Sequence, residues 1–159
     1  PFDIVENGCL LAVETAPDKF DTCRKYGADE VVDARNGDVV EALRDLTKGE
    51  GVDVAIDYVS STVTLEAGVR ALGRRGRLVI LGGSVKPFNA PARDMLTHEQ
   101  SILGSRYVTR REILDVFDMV ARREVWPLVT DLRPLEEAEA VHARVEKGEV
   151  TGRAALRIV

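Results

Sequence analysis

Short apolar runs alternate with amphipathic stretches of helical period along most of this chain, and that alternation limits the fold more than any other feature. Leu10-Leu11-Ala12-Val13 reads as a strand that ends on Glu14. Thr15 or Ala16 caps a following helix, with Pro17 in its first turn, where a missing N–H costs nothing. Phe20, Cys23 and Tyr26 share one face of that helix, and Gly27 stops it. Val31-Val32 is a short buried strand with Glu30 and Asp33 at its edges. Asp38 opens a helix with Val39, Val40, Leu43 and Leu46 at three- and four-residue spacing, and residues 48–51 end it. Residues 52–57 form the next strand; Ser60, Ser61 or Thr62 caps the helix that carries Leu65, Val69 and Leu72.

After a turn at Gly73-Arg74-Arg75-Gly76 comes Arg77-Leu78-Val79-Ile80-Leu81, the most continuous apolar run, bounded by Gly82-Gly83. It reads as a central strand buried on both faces. Residues 86–91, with two prolines around Phe88, suit an edge strand or extended arm. A short helix through Met95-Leu96 leads to a strand at 101–105. Thr109-Arg110-Arg111-Glu112 is a capping box, and its helix should turn Ile113, Val116, Phe117 and Val120 inward. An extended segment at 126–129, a helix from Pro134 bearing Leu135, Ala138, Val141 and Val145, and a strand at 153–159 complete the chain. Strands joined by helices in this way specify an α/β fold, a doubly wound parallel sheet. The expected organisation is an N-terminal tail at 1–9, a main α/β domain at 10–125 and a C-terminal appendage at 126–159.

Glu14 is the chemically informative residue. Open parallel sheets bind ligands at the carboxyl ends of their strands. A carboxylate there can accept hydrogen bonds from both hydroxyls of an adenosine ribose, each contributing roughly 1.5–3 kcal/mol. A 2′-phosphate would meet like charge, so the preference is NAD over NADP. Lys19, five residues on, can reach the same ribose from the other side. A solvated turn residue is the bland alternative for Glu14 taken alone. The net charge of −5, without a basic block, argues against a nucleic-acid partner. No apolar run approaches the ~20 residues of a membrane span. Cys9 and Cys23 lack Cys-x-x-Cys spacing and read as small apolar fillers of a reduced, cytoplasmic protein.

Several segments together resemble the C-terminal, cofactor-binding part of the medium-chain dehydrogenases, the zinc alcohol dehydrogenase superfamily. They are the acidic-ended strand with Asp18-Lys19 after it, Tyr26-Gly27-Ala28-Asp29, Gly51-Val52-Asp53-Val54-Ala55-Ile56-Asp57, Gly76-Arg77-Leu78-Val79-Ile80-Leu81-Gly82, Ile102-Leu103-Gly104-Ser105 and Gly152-Arg153-Ala154. The resemblance runs from about residue 10 to 159 and implies a Rossmann-like fold. It implies that Glu14 and Lys19 hold the adenine-side ribose, and that Tyr58, Val59 and Ser60 line the adenine and ribose side of the cleft. It further implies that Leu81 and Gly82 offer backbone groups to the nicotinamide half and that Ser105 to Tyr107 meet the carboxamide. Arg153 matches an arginine that pairs with the pyrophosphate. Arg153 also reads as a solvated residue, and Tyr107 as a packing residue.

The departures are as telling. The family's Gly-x-Gly-x-x-Gly turn precedes the acidic residue by about 20 positions. Here 13 residues precede Glu14, and Gly8 is the only glycine among them. The sheet is therefore expected to lack its first strand and glycine-rich turn, and with them the helix N-terminus that binds the pyrophosphate. Residues 2–6 fold in as a substitute strand, the flanking strands pair directly, or another chain fills the gap. No catalytic residue and no metal ligand is assigned: the zinc with its Cys and His ligands belongs to a domain outside these residues, and His98 and His142 read as surface side chains. The expected function is the NAD-holding portion of an alcohol dehydrogenase-like oxidoreductase, inactive by itself. The alternative is a non-catalytic truncated module that binds nucleotide weakly or only associates with a partner. A homodimer through the 87–91 arm and the 101–105 strand is also expected, since relatives often pair sheet edge to sheet edge.

Overall fold

Every strand pair described is parallel, and every pair is joined through a helix, as parallel pairing requires. The computed structural model describes residues 8–83 and 86–158. It divides into two units at Arg106/Tyr107, so the helix after Thr109 belongs to the second.

In the first unit, β1 (Leu11–Glu14), α1 (Phe20–Lys25) and β2 (Glu30–Asp33) form one crossover. Then follow α2 (Val39–Leu46), β3 (Val52–Asp57), α3 (Thr62–Ala71), β4 (Leu72–Ile80), α4 (Ala92–His98) and β5 (Ser101–Gly104). The second unit holds α5 (Arg110–Ala121), β6 (Val129–Pro134), α6 (Ala138–Glu146) and β7 (Arg153–Arg157). The ladders are β1–β2, β3–β4–β5 and β6–β7.

Local chemistry explains most boundaries. Asp38 caps α2 by accepting from the Val40 and Glu41 amides at 2.8 and 3.4 Å. Ser61 is the cap of α3, in a reciprocal box with Thr64. Thr109 and Glu112 form the expected box on α5. Thr15, however, caps nothing: a 3₁₀ turn over Pro17–Lys19 starts from Ala16 without a side-chain cap, because the Thr15 amide and hydroxyl both turn back to Glu14.

The single sheet expected from the sequence is here three ladders. Among the described residues β1 and β3 share no ladder, so the two strands that flank the expected gap do not pair directly. Residues 2–6, the candidate substitute strand, lie outside the described residues. Side-chain packing holds the first unit together instead. Val32, Leu43 and Ala71 form one buried cluster with Leu11 and Val52 against it. Leu65, Val69, Leu72 and Leu78 form another, with Val52, Ala55, Ile80 and Ile102 against it. Val52 touches both. The opposite face of β3–β5 is open, with Val54, Ile56 and Leu103 exposed.

Three expectations fail on packing or local path. Leu78 is fully buried, but Leu81 is exposed, so the apolar run is not buried on both faces throughout. On α5, Ile113, Val116, Phe117 and Val120 are exposed, Phe117 by 64%. Helical period sets that stripe, but burial depends on what lies against it. The Gly73–Gly76 turn lies within β4, where the ladder slips from Val52↔Leu72 to Val54↔Arg77. Its glycines permit a close crossing: a Cβ on Gly73 would lie 2.5 Å from the Glu50 carbonyl oxygen. Gly73→Ala is therefore expected to lower stability by about 1–3 kcal/mol, read as a fall in the urea midpoint at unchanged slope.

Candidate functional site

Glu14 ends β1, and its carboxylate is held from within its own turn. One oxygen, Oε1, accepts from the Thr15 amide at 2.7 Å, the Ala16 amide at 2.9 Å and the Thr15 hydroxyl at 3.3 Å. Among the described residues no bond is made to Oε2. Two backbone donors thus orient the group and leave one oxygen for an external hydroxyl. Lys19 closes the 3₁₀ turn, and no ion pair joins it to Glu14 among the described residues.

Asp33 ends β2 in register with Glu14, and the Ala34 amide donates to the Glu14 carbonyl at 3.0 Å. The Arg35 guanidinium grips Asp33 with both prongs, Nε to Oδ1 at 3.0 Å and Nη2 to Oδ2 at 2.7 Å. The Arg35 amide and the Asn36 side chain add bonds at 3.0 and 2.9 Å. The Arg35 guanidinium first, and then the Arg35 amide, hold the Asp33 carboxyl at a pKa of about 2 against an ordinary 3.8. Sequence reasoning gave Asp33 only as a strand edge. The Asp-x-Arg spacing was the available signal, but only the register with Glu14 gives it a place in the site.

At the end of β3, Asp57 is buried, and its Oδ1 accepts from the Val59 and Ser60 amides at 2.7 and 2.8 Å. The Asp57 carbonyl accepts from the Leu81 and Gly82 amides at 2.9 and 3.2 Å, which binds the end of β3 to the residues after β4. Those two amides are thereby occupied, so Leu81 and Gly82 have only carbonyls to offer a ligand. Ser60 is 2% exposed at φ 55°, and both its hydroxyl and Asp57 Oδ2 lack a partner among the described residues. A Cβ on Gly82 would lie 2.6 Å from both the Ser60 hydroxyl and the Tyr58 carbonyl oxygen, so only glycine fits there. Tyr58 and Val59 stand 74% and 69% exposed. The Ser105 amide donates to the Ile80 carbonyl at 2.9 Å, which puts Ser105 at the same end of the β3–β5 ladder.

The sequence-predicted residues therefore divide. Glu14, Lys19, Tyr58, Val59, Ser60, Leu81, Gly82 and Ser105 all follow the carboxyl ends of strands in the first unit. Tyr107 and Arg153 belong to the second, Tyr107 exposed at φ 59° and Arg153 opening β7. Among the described residues, no group of three or more His, Cys, Asp or Glu side chains could hold a metal ion, and no helix is long and apolar enough to cross a membrane.

The zinc-binding dehydrogenase family matches this chain over residues 10–122. An NAD-dependent alcohol dehydrogenase of Sulfurisphaera tokodaii is 27% identical over 96% of this chain and 44% of its own length. An alcohol dehydrogenase of Geobacillus stearothermophilus is 30% identical over 94% of this chain and 43% of its own. The crystal structure of the Aeropyrum pernix alcohol dehydrogenase superposes with a TM-score of 0.84 at 36% identity, covering 91% of this chain and 41% of that one. The chain spans less than half the length of each of these relatives.

The depressed Asp33 carboxyl fixes a pH dependence. A carboxylate with a lowered folded-state pKa contributes stability that is complete above its unfolded value and is lost as pH falls through the folded one. For Asp33 that window runs from 3.8 down to about 2. Urea midpoints of the wild type and Asp33→Asn, measured at a series of pH values, should differ above this interval and converge as pH falls through it, because the variant lacks the contribution at every pH.

Proposed function

Because this chain belongs to the zinc-binding dehydrogenase family, we propose that it is the cofactor-holding portion of an NAD-dependent oxidoreductase that passes a hydride between an alcohol and nicotinamide. The observation that carries this reading is the half-satisfied Glu14 carboxylate at the carboxyl end of a parallel strand. Its second oxygen is free to accept from the adenosine ribose, with Lys19 on the other side of the sugar. Tyr58, Val59 and Ser60 wall the adenine and ribose side. The Leu81 and Gly82 carbonyls serve the nicotinamide half and Ser105 its carboxamide, all from the first unit.

The nicotinamide supplies the hydride acceptor when bound. This chain's part is to orient it: Glu14 fixes one end, and the close packing of Gly82 on Tyr58 and Ser60 shapes the floor at the other. The described residues do not fit a zinc site, so no step here runs through a metal. The protein is read as cytoplasmic, and as a homodimer through the 87–91 arm and the edge strand β5.

The alternative, a non-catalytic module, draws support from the break between β1 and β3. Calorimetric titration with NAD separates the two. Micromolar binding to the chain, weakened roughly ten-fold or more in Glu14→Ala, supports the cofactor-holding reading, since one lost charge-assisted hydrogen bond is worth about 1.5–3 kcal/mol. Absence of heat at millimolar NAD favours the module. The dimer is tested by elution volume across a dilution series, where a constant monomer volume removes it.

A further inference from the structure

We propose that Asp33 tunes cofactor preference at this site by occupying Arg35, a guanidinium that would otherwise accept a ribose 2′-phosphate beside Glu14. The proposal rests on the reading of Glu14 as the ribose-binding carboxylate and adds a second determinant to it.

Glu14 and Asp33 are partners in the β1–β2 ladder, and neighbouring strands lie about 4.8 Å apart. The chain leaving Asp33 stays bonded to the end of β1 through the Ala34 amide, and Arg35 is the next residue. The chain segment that carries the cation therefore leaves β2 beside the end of β1, next to Glu14. The planar Arg35 fork is suited to a carboxylate or a phosphate, and the two N–H groups that hold a carboxylate bidentately are not at the same time free to hold a phosphate in that way.

In this structure the fork is spent on Asp33, through Nε at 3.0 Å and Nη2 at 2.7 Å. The Asp33 side chain is 18% exposed, whereas that of Arg35 is 50% exposed, so the guanidinium is open on its outer side. The pair is locally neutral. A nucleotide with free ribose hydroxyls bonds to Glu14, with Lys19 on the other side of the sugar and no further net charge from the Asp33–Arg35 pair. A 2′-phosphate brings a charge of roughly −1.5 to −2, meets Glu14, and finds the nearby fork engaged. Refusal of the phosphorylated cofactor thus has two parts: repulsion by Glu14 and sequestration of Arg35 by Asp33.

The Asp33→Asn substitution keeps the shape of the side chain and removes the charge that holds the fork. Calorimetry with adenosine and with adenosine 2′-phosphate, on the wild type and on Asp33→Asn, reads the effect without requiring the pyrophosphate site. The expected result is a gain of about ten-fold in affinity for adenosine 2′-phosphate in the variant, the worth of one freed charge-assisted contact, with adenosine changed less than two-fold. Adding Arg35→Ala to Asp33→Asn should abolish the gain. Asp33→Ser, which also releases the fork, serves where Asp33→Asn melts early by circular dichroism. Equal affinity for adenosine 2′-phosphate in the wild type and in a folded Asp33 variant overturns the proposal, as does a gain that survives Arg35→Ala. Glu14→Gln tests the underlying reading separately: unchanged adenosine affinity there removes the ribose role of Glu14, while the Arg35 comparison still reports whether the fork accepts the phosphate.

Discussion

Val52 stands at the joint on which the first unit depends. The β1–β2 and β3–β4–β5 ladders exchange no ladder hydrogen bonds among the described residues, so backbone pairing does not align them. Alignment comes from side chains. Val52 packs against the Val32–Leu43–Ala71 cluster on one side and the Leu65–Val69–Leu72–Leu78 cluster on the other. Helix α2 contributes to the first cluster and α3 to both. Apolar contact is non-directional and dense, and it holds the two ladders together where no ladder hydrogen bonds link them among the described residues. The relative position of Glu14 and the β3–β4 strand ends is a property of that packing.

Around the strand ends, backbone donors are largely spent inside the protein. Glu14 Oε1 takes the Thr15 and Ala16 amides, Asp57 Oδ1 takes those of Val59 and Ser60, and the Asp57 carbonyl takes those of Leu81 and Gly82. What remains for a ligand is mostly acceptors: one oxygen of Glu14 and the carbonyls after β4. Such a surface suits the hydroxyls of a sugar and an amide N–H, and it is poor for phosphate. The charges follow the same pattern. Asp33 and Arg35 pair with one another, so together they add no net charge beside Glu14.

Several features were legible in the sequence because they are local. Asp38 caps its helix through amides two and three residues away, and the Thr109–Glu112 box closes within one turn. The acidic end of β1 and the helix after it were visible as an apolar run, a carboxylate and a proline. Less could be read where partners are distant in the chain. Thr15 has the side chain of a cap, yet its amide and hydroxyl both donate to the Glu14 carboxylate beside it. The Arg35 grip on Asp33 is local, but its meaning comes from a register that pairs residue 33 with residue 14. The exposed stripe of α5 shows the same limit, since periodicity marks a face without supplying its cover.

By itself the sequence determined the class of fold, the sites of most helix starts and the residue to examine first. Periodicity, capping and the acidic strand end act over a few residues and need no knowledge of the rest. Only the tertiary structure decided that β1 and β3 stay unpaired, that Gly73 must clear the Glu50 carbonyl, and that the Leu81 and Gly82 amides are already engaged. Each of these depends on which strand lies beside which. Parallel pairing joins residues about 20 or more apart in the chain, so no local pattern encodes the outcome.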